Sequence, residues 1–162
     1  MSGEESDALE GDDLVAWSSL ATVLEWLPAA LDAQLTRDSQ LTHFEFGVLY
    51  ALNSAPAQTL KMSTLADYAN STLSRLSRAV ARLERRGLVV RRPDPDDGRT
   101  TLAQLTDSGV QETRKALPGH VALVRRTVLD PLTAAQRRQL TEISRRIQQA
   151  LREQPGWSPP AH

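Results

Sequence analysis

The chain is 162 residues long, 40% of its residues are apolar, and its formal net charge is −1. This length and apolar content suit one globular domain with long accessory helices, which argues against a disordered or fibrous protein. Because the sequence contains no cysteine, disulfides, thiolate zinc sites, iron–sulfur clusters and thiol redox switches are excluded. The three histidines, His43, His120 and His162, offer little for metal binding, so we expect neither a metal site nor a cofactor.

The sequence shows neither the apolar run of a membrane-spanning helix nor the basic N-terminal segment of a signal peptide. We find no unbroken apolar run of about 20 residues, the length that a bilayer crossing needs. The N-terminal segment is acidic where a signal peptide is basic. We therefore expect a soluble, cytoplasmic protein with no membrane partner. Residues 1–13 and 153–162 are expected to form a disordered acidic N-terminus and a frayed tail.

The first predicted helix spans residues 14–35, where apolar side chains are too dense for one narrow stripe, and Pro28 is expected to kink it. A second helix is predicted from Thr42 to about Asn53, because Thr42 and Glu45 have the spacing of a capping box. These two helices precede a polar segment.

Residues 54–61 contain proline and polar side chains and predict a loop, with a short strand at positions 59–61. Ser63 is expected to cap a short helix over residues 64–69. A polar turn at residues 70–72 then starts another helix that ends at Gly87, a residue suited to a left-handed cap. Two helices across a short turn form a helix-turn-helix.

Residues 88–93 predict a strand, residues 94–99 a turn and residues 100–105 a second strand, which together form a β-hairpin or wing. Thr106 is expected to cap a helix from Asp107 to about Leu129, with Pro118 and Gly119 as candidate break points. Thr133 and Gln136 form a second capping box, which opens a final helix. This last helix needs a partner, because one of its faces carries the apolar residues Leu140, Ile143, Ile147 and Leu151.

Charge is segregated along the chain. Residues 1–40 hold nine acids and one base, whereas residues 71–92 hold seven arginines and one acid, Glu84. A basic helix is often no more than a solvated surface. The positions of the arginines decide between this interpretation and a binding surface.

The helix that follows the turn has one apolar and one basic face. On a helical wheel with 100° per residue, one arc of roughly 80° holds Leu73, Leu76, Val80 and Leu83. This apolar arc should face the core. The opposite side holds Arg75, Arg78, Arg82 and Arg85, with Ser74 beside them and Ser77 near the boundary. Arginine binds guanine bidentately, and serine and threonine suit phosphates and adaptable base contacts. A basic helix placed second in a helix-turn-helix and directly before a wing is typical of DNA recognition.

The turn between the two wing strands has an alternative interpretation as a calcium loop, because Asp94, Asp96 and Gly98 loosely follow the EF-hand pattern. The position that should carry a bidentate glutamate is Leu105, so a hairpin tip fits better. In a hairpin, Arg99 projects where it can enter a minor groove, and Asp97 can hold its guanidinium in a bidentate pair.

The segment 65–109 resembles the core signature of the multiple-antibiotic-resistance regulator (MarR) family. The shared elements are an L-x-R-x-V-x-x-L-E-x-x-G-L-V helix exit, a D-x-D-D-x-R wing and a following L-T-x-x-G. The resemblance implies a mainly α fold with a small β-wing. It assigns residues 39–106 to a winged helix-turn-helix domain that binds double-stranded DNA, and residues 14–38 and 107–152 to helices that form a homodimer.

The resemblance also implies which residues act. Besides Arg82, which the helix wheel suggests, the expected DNA contacts are Ser71, Thr72, Ser74, Arg75, Ser77, Arg78 and the wing residue Arg99. A small aromatic or phenolic effector is expected between the dimerisation helices and the winged domain, with Trp17 on the pocket wall and Asp67 facing the same cleft. The alternative is a regulator without any effector. Both residues also have plainer interpretations, as a core tryptophan and a solvated aspartate.

Two other functions compete with DNA binding. An enzyme would have to use His43 with Glu45, which diverge two residues apart on a helix, or the wing acids Asp94, Asp96 and Asp97 as a metal cluster. A nucleophile elbow, a phosphate loop and an HExxH motif are absent from the sequence. A winged helix that binds a protein partner instead of DNA is the other alternative, and the arginines of the basic face argue against it.

Overall fold

The computed structural model describes residues 8–153 and contains mainly helices, with one small antiparallel sheet. The helices are α1 (Gly11–Ser39), α2 (His43–Ser54), α3 (Met62–Tyr68), α4 (Leu73–Arg85), α5 (Asp107–Val124) and α6 (Ala134–Arg152). The strands are β1 (Thr59–Lys61), β2 (Val89–Pro93) and β3 (Thr101–Leu105). The predicted fold class, a winged helix-turn-helix with long terminal helices, is confirmed.

The two predicted capping boxes are confirmed by their hydrogen bonds. At the start of α2 the Thr42 hydroxyl accepts from the Glu45 amide at 3.1 Å, and the Glu45 carboxylate accepts from the Thr42 amide at 2.9 Å. Thr133 and Gln136 form the same box before α6. Gly87, just past α4, has φ +71°, the left-handed conformation predicted for it.

Three predicted helix features are wrong. Helix α1 begins at Gly11, so residues 11–13 are helical and not part of a disordered end. It runs as one helix to Ser39 with Pro28 inside it, and the kink at Pro28 stays a prediction. Helix α3 has Lys61 at its N-cap with no side-chain cap, and Ser63 lies inside the helix. Helix α5 also continues through its proline and glycine, and a π-helical turn follows it at Arg125–Leu129. The remainder of the predicted disordered ends, residues 1–7 and 154–162, lies outside the described residues.

The sheet has the order β1-β3-β2, so β3 forms its centre, and Ala103 pairs with Leu60 on one side and with Arg91 on the other. One hydrophobic core, built from α1 to α5 together with β2 and β3, lies beneath this sheet and beneath α4. Leu49, Leu65 and Leu83 are fully buried in it. The core therefore fixes α4 and the wing as one rigid unit.

Two helices leave large apolar side chains uncovered. Among the described residues of α6 none is buried, and its predicted stripe is exposed. On α1 the exposed apolar side chains are Leu14, Val15, Trp17, Leu20, Val23, Leu24 and Trp26. By length and composition alone, α1 is also apolar enough to cross a membrane, with a mean hydropathy of 1.4 over 18 residues. Glu25 interrupts every such stretch of α1, so the expectation of no unbroken apolar run stands.

Candidate nucleic-acid interface

The helix-turn-helix is formed by α3 and α4, and its turn depends on two polar residues. Asn70 adopts a left-handed conformation with φ 43°. The Thr72 hydroxyl then accepts from the Arg75 amide at 3.2 Å and caps α4. Ser71 therefore precedes the helix, and Ser74 lies in its first turn. The structure places these predicted contact residues together at the exposed N-terminal end of α4.

The buried face of α4 matches the prediction except at one residue. Leu76, Val80 and Leu83 are fully buried, and Ala79 joins them. Leu73, predicted to be in the core, is 55% exposed. A helix wheel gives the direction of a side chain around the axis but not its position along it, and Leu73 is the first residue of the helix.

The four arginines of the basic face have different surroundings. Arg78 and Arg85 are exposed and make no ion pair with any residue between positions 8 and 153. Arg75 lies over the Phe44 ring of α2, with its guanidinium carbon 4.6 Å from the ring centroid. Arg82 pairs with the α2 residue Glu45 at 2.6 Å. The exposed arginines of α4 that make no ion pair are therefore Arg78, one turn after Ser74, and Arg85 at the end of the helix.

The wing is attached to α4 by an ion pair that sequence reasoning missed. Glu84 of α4 accepts hydrogen bonds from the Arg91 amide at 3.0 Å and from two nitrogens of its guanidinium at 2.8 and 3.0 Å. These bonds hold the pKa of the Glu84 carboxyl below its usual value. Arg91 therefore fixes β2, the first wing strand, against α4, and the wing and the helix present one surface.

The wing tip differs from the prediction for Asp97. Its carboxylate accepts from the Arg99 amide at 3.1 Å and from the Thr100 hydroxyl at 2.9 Å, and these bonds lower its pKa. Within the described part of the chain it makes no ion pair with the Arg99 guanidinium. An aspartate bonds its own backbone two residues on more readily than a long, mobile side chain. Asp97 thus shapes the turn, and the exposed Arg99 guanidinium is left free to bind.

Comparison with known proteins identifies this architecture. The MarR family model matches residues 39–100. Sco3205 of Streptomyces coelicolor, a MarR family transcriptional regulator solved in complex with DNA, is 40% identical, with a TM-score of 0.89 and coverage of 94% of this chain and 97% of that one. The chain belongs to the MarR family of transcriptional regulators. Membership confirms the expected resemblance and the interpretation as a non-enzymatic regulator.

The chain is also similar to two other transcriptional regulators. PcaV of S. coelicolor, solved with its natural ligand, is 28% identical with a TM-score of 0.69, and the match covers 88% of this chain and 99% of PcaV. YdcH of Bacillus subtilis (strain 168), an uncharacterized HTH-type transcriptional regulator, is 31% identical over 80 residues. This stretch is 48% of the chain and 54% of the length of YdcH, so the chain spans about half of this curated relative.

The residues of the competing functions have structural roles in this MarR family chain. Asp94 is buried, accepts from the Asp96 amide at 3.0 Å and lies 3.7 Å from the Lys61 ammonium, so it organises the wing turn. Residues 8–153 contain no group of three or more His, Cys, Asp or Glu suited to a metal ion. Glu45 serves the α2 cap and Arg82, while His43 stacks on His120 with ring centroids 5.9 Å apart.

A cavity of about 620 Å³ lies between α1, α2, α3 and the first turn of α4. Its lining includes the aromatic rings of Phe44, Tyr50 and Tyr68 together with Asp32, His43 and Arg75. Trp17 and Asp67 do not line it, and both are exposed. His120, which stacks on the lining residue His43, has its pKa lowered by burial and by the neighbouring His43. Sequence reasoning could not find this cavity, because its walls come from four separate helices.

Proposed function

We propose that this MarR family regulator binds a pseudo-palindromic DNA operator as a homodimer and acts as a repressor in the cytoplasm. Each α4 would enter a major groove, where Arg78 and Ser74 meet base edges and phosphates. Each wing would place Arg99 in the flanking minor groove. The observation that carries this proposal is the exposed basic face of α4, where Arg78 and Arg85 pair with no acidic residue within positions 8–153. The helix itself is held by the ion pairs of Arg82 with Glu45 and of Glu84 with Arg91.

A second copy of the chain is the proposed cover for the apolar faces of α1 and α6. An apolar surface on two long helices that flank the same domain is larger than a soluble monomer normally exposes. Isologous pairing would bury both faces and place two copies of α4 side by side. The half-site centres of the operator would then lie about one helical turn apart.

The cavity between α1, α2, α3 and α4 supports the proposal of a small aromatic or phenolic acid as effector. Its volume lies within the range of ligand sites, its rings suit an aromatic group, and Arg75 offers a cation to a carboxylate. A ligand that holds Arg75 and moves α4 would release DNA. Titrating aromatic carboxylates while following tryptophan fluorescence and operator release tests this, and Trp17→Phe shows whether Trp17 reports the ligand.

The main proposal is tested by selecting bound fragments from genomic DNA and measuring the affinity of the selected duplex at several salt concentrations. Because each neutralised phosphate releases counterions, the logarithm of the affinity should fall linearly, by about 0.9 per phosphate contact for each tenfold rise in salt. Random duplexes should bind much more weakly at the same salt. A chain that selects no fragment and shows no salt-dependent binding would instead be a winged-helix protein-interaction module.

A further inference from the structure

We infer that Arg82 and Glu45 act as positioning residues, and that their ion pair sets the spacing of the two recognition helices instead of supplying a DNA contact. This inference rests on the proposed function and revises the expectation that Arg82 binds DNA. Arg82 pairs with the buried carboxylate of Glu45, whereas Arg78 makes no ion pair within residues 8–153, although the two arginines share one face on a helix wheel.

The pair has the geometry of a fixed structural contact. The Arg82 Nε lies 2.6 Å from Glu45 Oε1, and the other carboxylate oxygen, Oε2, accepts from the Thr42 amide at 2.9 Å. The Glu45 side chain is only 7% exposed, whereas Arg82 is 48% exposed. A carboxylate that is buried this far needs its cation, so moving Arg82 onto a phosphate would leave Glu45 without a charge partner. The guanidinium is thus held by α2.

The start of α2, which carries Glu45, is itself bonded to α1 of the predicted dimerisation region. The main-chain amide of His43, the first residue of α2, donates to the Asp32 carboxylate of α1 at 2.9 Å. At the other end of α4, Arg86 donates to the main-chain oxygens of Gln40 at 2.8 Å and Ser39 at 3.2 Å. Helix α4 is therefore tied to the end of α1 and the start of α2, on the side opposite to the Glu84 contact with the wing.

These contacts indicate that the ion pair controls the distance between the two copies of α4. If α1 belongs to the dimer interface, the distance between the two copies of α4 depends on how each α4 is held against its own α1 and α2. Within residues 8–153, the Arg82 and Glu45 pair is the salt bridge between α4 and the start of α2. Weakening it should leave the reading surface intact and loosen its position, which lowers the preference for one half-site spacing.

The test compares Arg82→Gln, Glu45→Gln and their double variant with Arg78→Gln, a matched loss of an arginine one turn earlier. Glutamine at position 45 keeps the capping box, because glutamine is also accepted at that helix position. Affinities are measured for the selected operator and for operators whose half-sites are moved by one base pair in either direction. Each measurement is repeated over a salt series, and circular dichroism checks the fold.

We expect Arg82→Gln and Glu45→Gln each to weaken operator binding by about 10-fold, to flatten the spacing preference and to leave the salt slope unchanged. The double variant should be no weaker than either single variant, because the two residues act as a unit. Arg78→Gln should keep the spacing preference while it loses affinity. The inference is wrong if Arg82→Gln lowers the salt slope by about 1.8, the value for one lost phosphate contact per subunit, or if Glu45→Gln binds every spacing as the wild type does.

A measurement without DNA separates this inference from the proposed function. Since the chain has no cysteine, Ser74→Cys gives a single spin-label site on each α4. The distance between the two labels, measured by pulsed electron spin resonance, should be narrow in the parent and with Arg78→Gln, and broad with Glu45→Gln or Arg82→Gln. Identical distributions in all four proteins would overturn the positioning role even if the protein binds its operator.

Discussion

Replacing Ile143 and Ile147 by aspartate is expected to separate the homodimer and to weaken operator binding by about 10²–10⁴-fold, the advantage that linking two binding modules provides. Both side chains are exposed in the single chain, at 54% and 40%, and belong to the apolar stripe of α6. At a buried apolar contact, two carboxylates would lose their hydration without gaining a cation or a hydrogen-bond donor. Light scattering gives the mass in solution, and fluorescence anisotropy gives the operator affinity.

The matched control places the same charges on another side of the same helix. Thr141 and Gln148 are exposed and lie away from the stripe, so replacing both by aspartate should leave the mass and the affinity unchanged. Removing residues 130–162 should reproduce the effect of the two isoleucine substitutions. A stripe variant that remains a dimer with full operator affinity would show that α6 does not form the interface.

Gly109→Ala is expected to destabilise the fold by about 1–3 kcal/mol or more, because it forces a methyl group into an occupied space. A Cβ at this position would collide with the main-chain oxygen of Leu88 and lie 2.6 Å from Leu105 Cδ1. The Leu88 oxygen also accepts from the Thr106 amide, where the second wing strand ends. The substitution should therefore displace the base of the wing as well as lower the free energy of unfolding.

Gly47→Ala is the control for this prediction, since both changes add one methyl group to a helix. An added Cβ at Gly47 has no neighbour within 4 Å, and glycine is a poor helix former. Gly47→Ala should thus be neutral or raise the free energy of unfolding by up to about 1 kcal/mol. Urea denaturation followed by circular dichroism measures both variants. Equal stabilities would show that α5 does not approach Leu88 this closely.

The sequence predicted features that depend on neighbouring residues. The capping boxes at Thr42 and Thr133, the left-handed Gly87 and the wing strands all follow from local hydrogen bonding and turn geometry. Periodicity also predicted most of the buried face of α4. The resemblance to a family rested on these same local elements.

Features that depend on distant residues could not be predicted in this way. Arg82 and Arg78 share a helix face, and only the folded position of Glu45, 37 residues earlier, shows that their surroundings differ. The cavity needs four helices in place, and the exposure of Leu73 depends on where α4 begins relative to the core. The predicted pair of Asp97 with the Arg99 guanidinium is wrong, because sequence alone did not show that the Arg99 amide and the Thr100 hydroxyl would donate to this carboxylate.

The measurement that tests the account most directly combines Arg78→Ala with 7-deazaguanine, which lacks the N7 acceptor that arginine uses. Each guanine of the selected operator is replaced in turn. We predict one position per half-site where the replacement weakens wild-type binding but does not weaken Arg78→Ala further, and a loss of about 1–3 kcal/mol for Arg78→Ala on the unmodified operator. A folded Arg78→Ala protein that binds the operator as tightly as wild type would contradict the assignment of α4 as the helix that reads DNA.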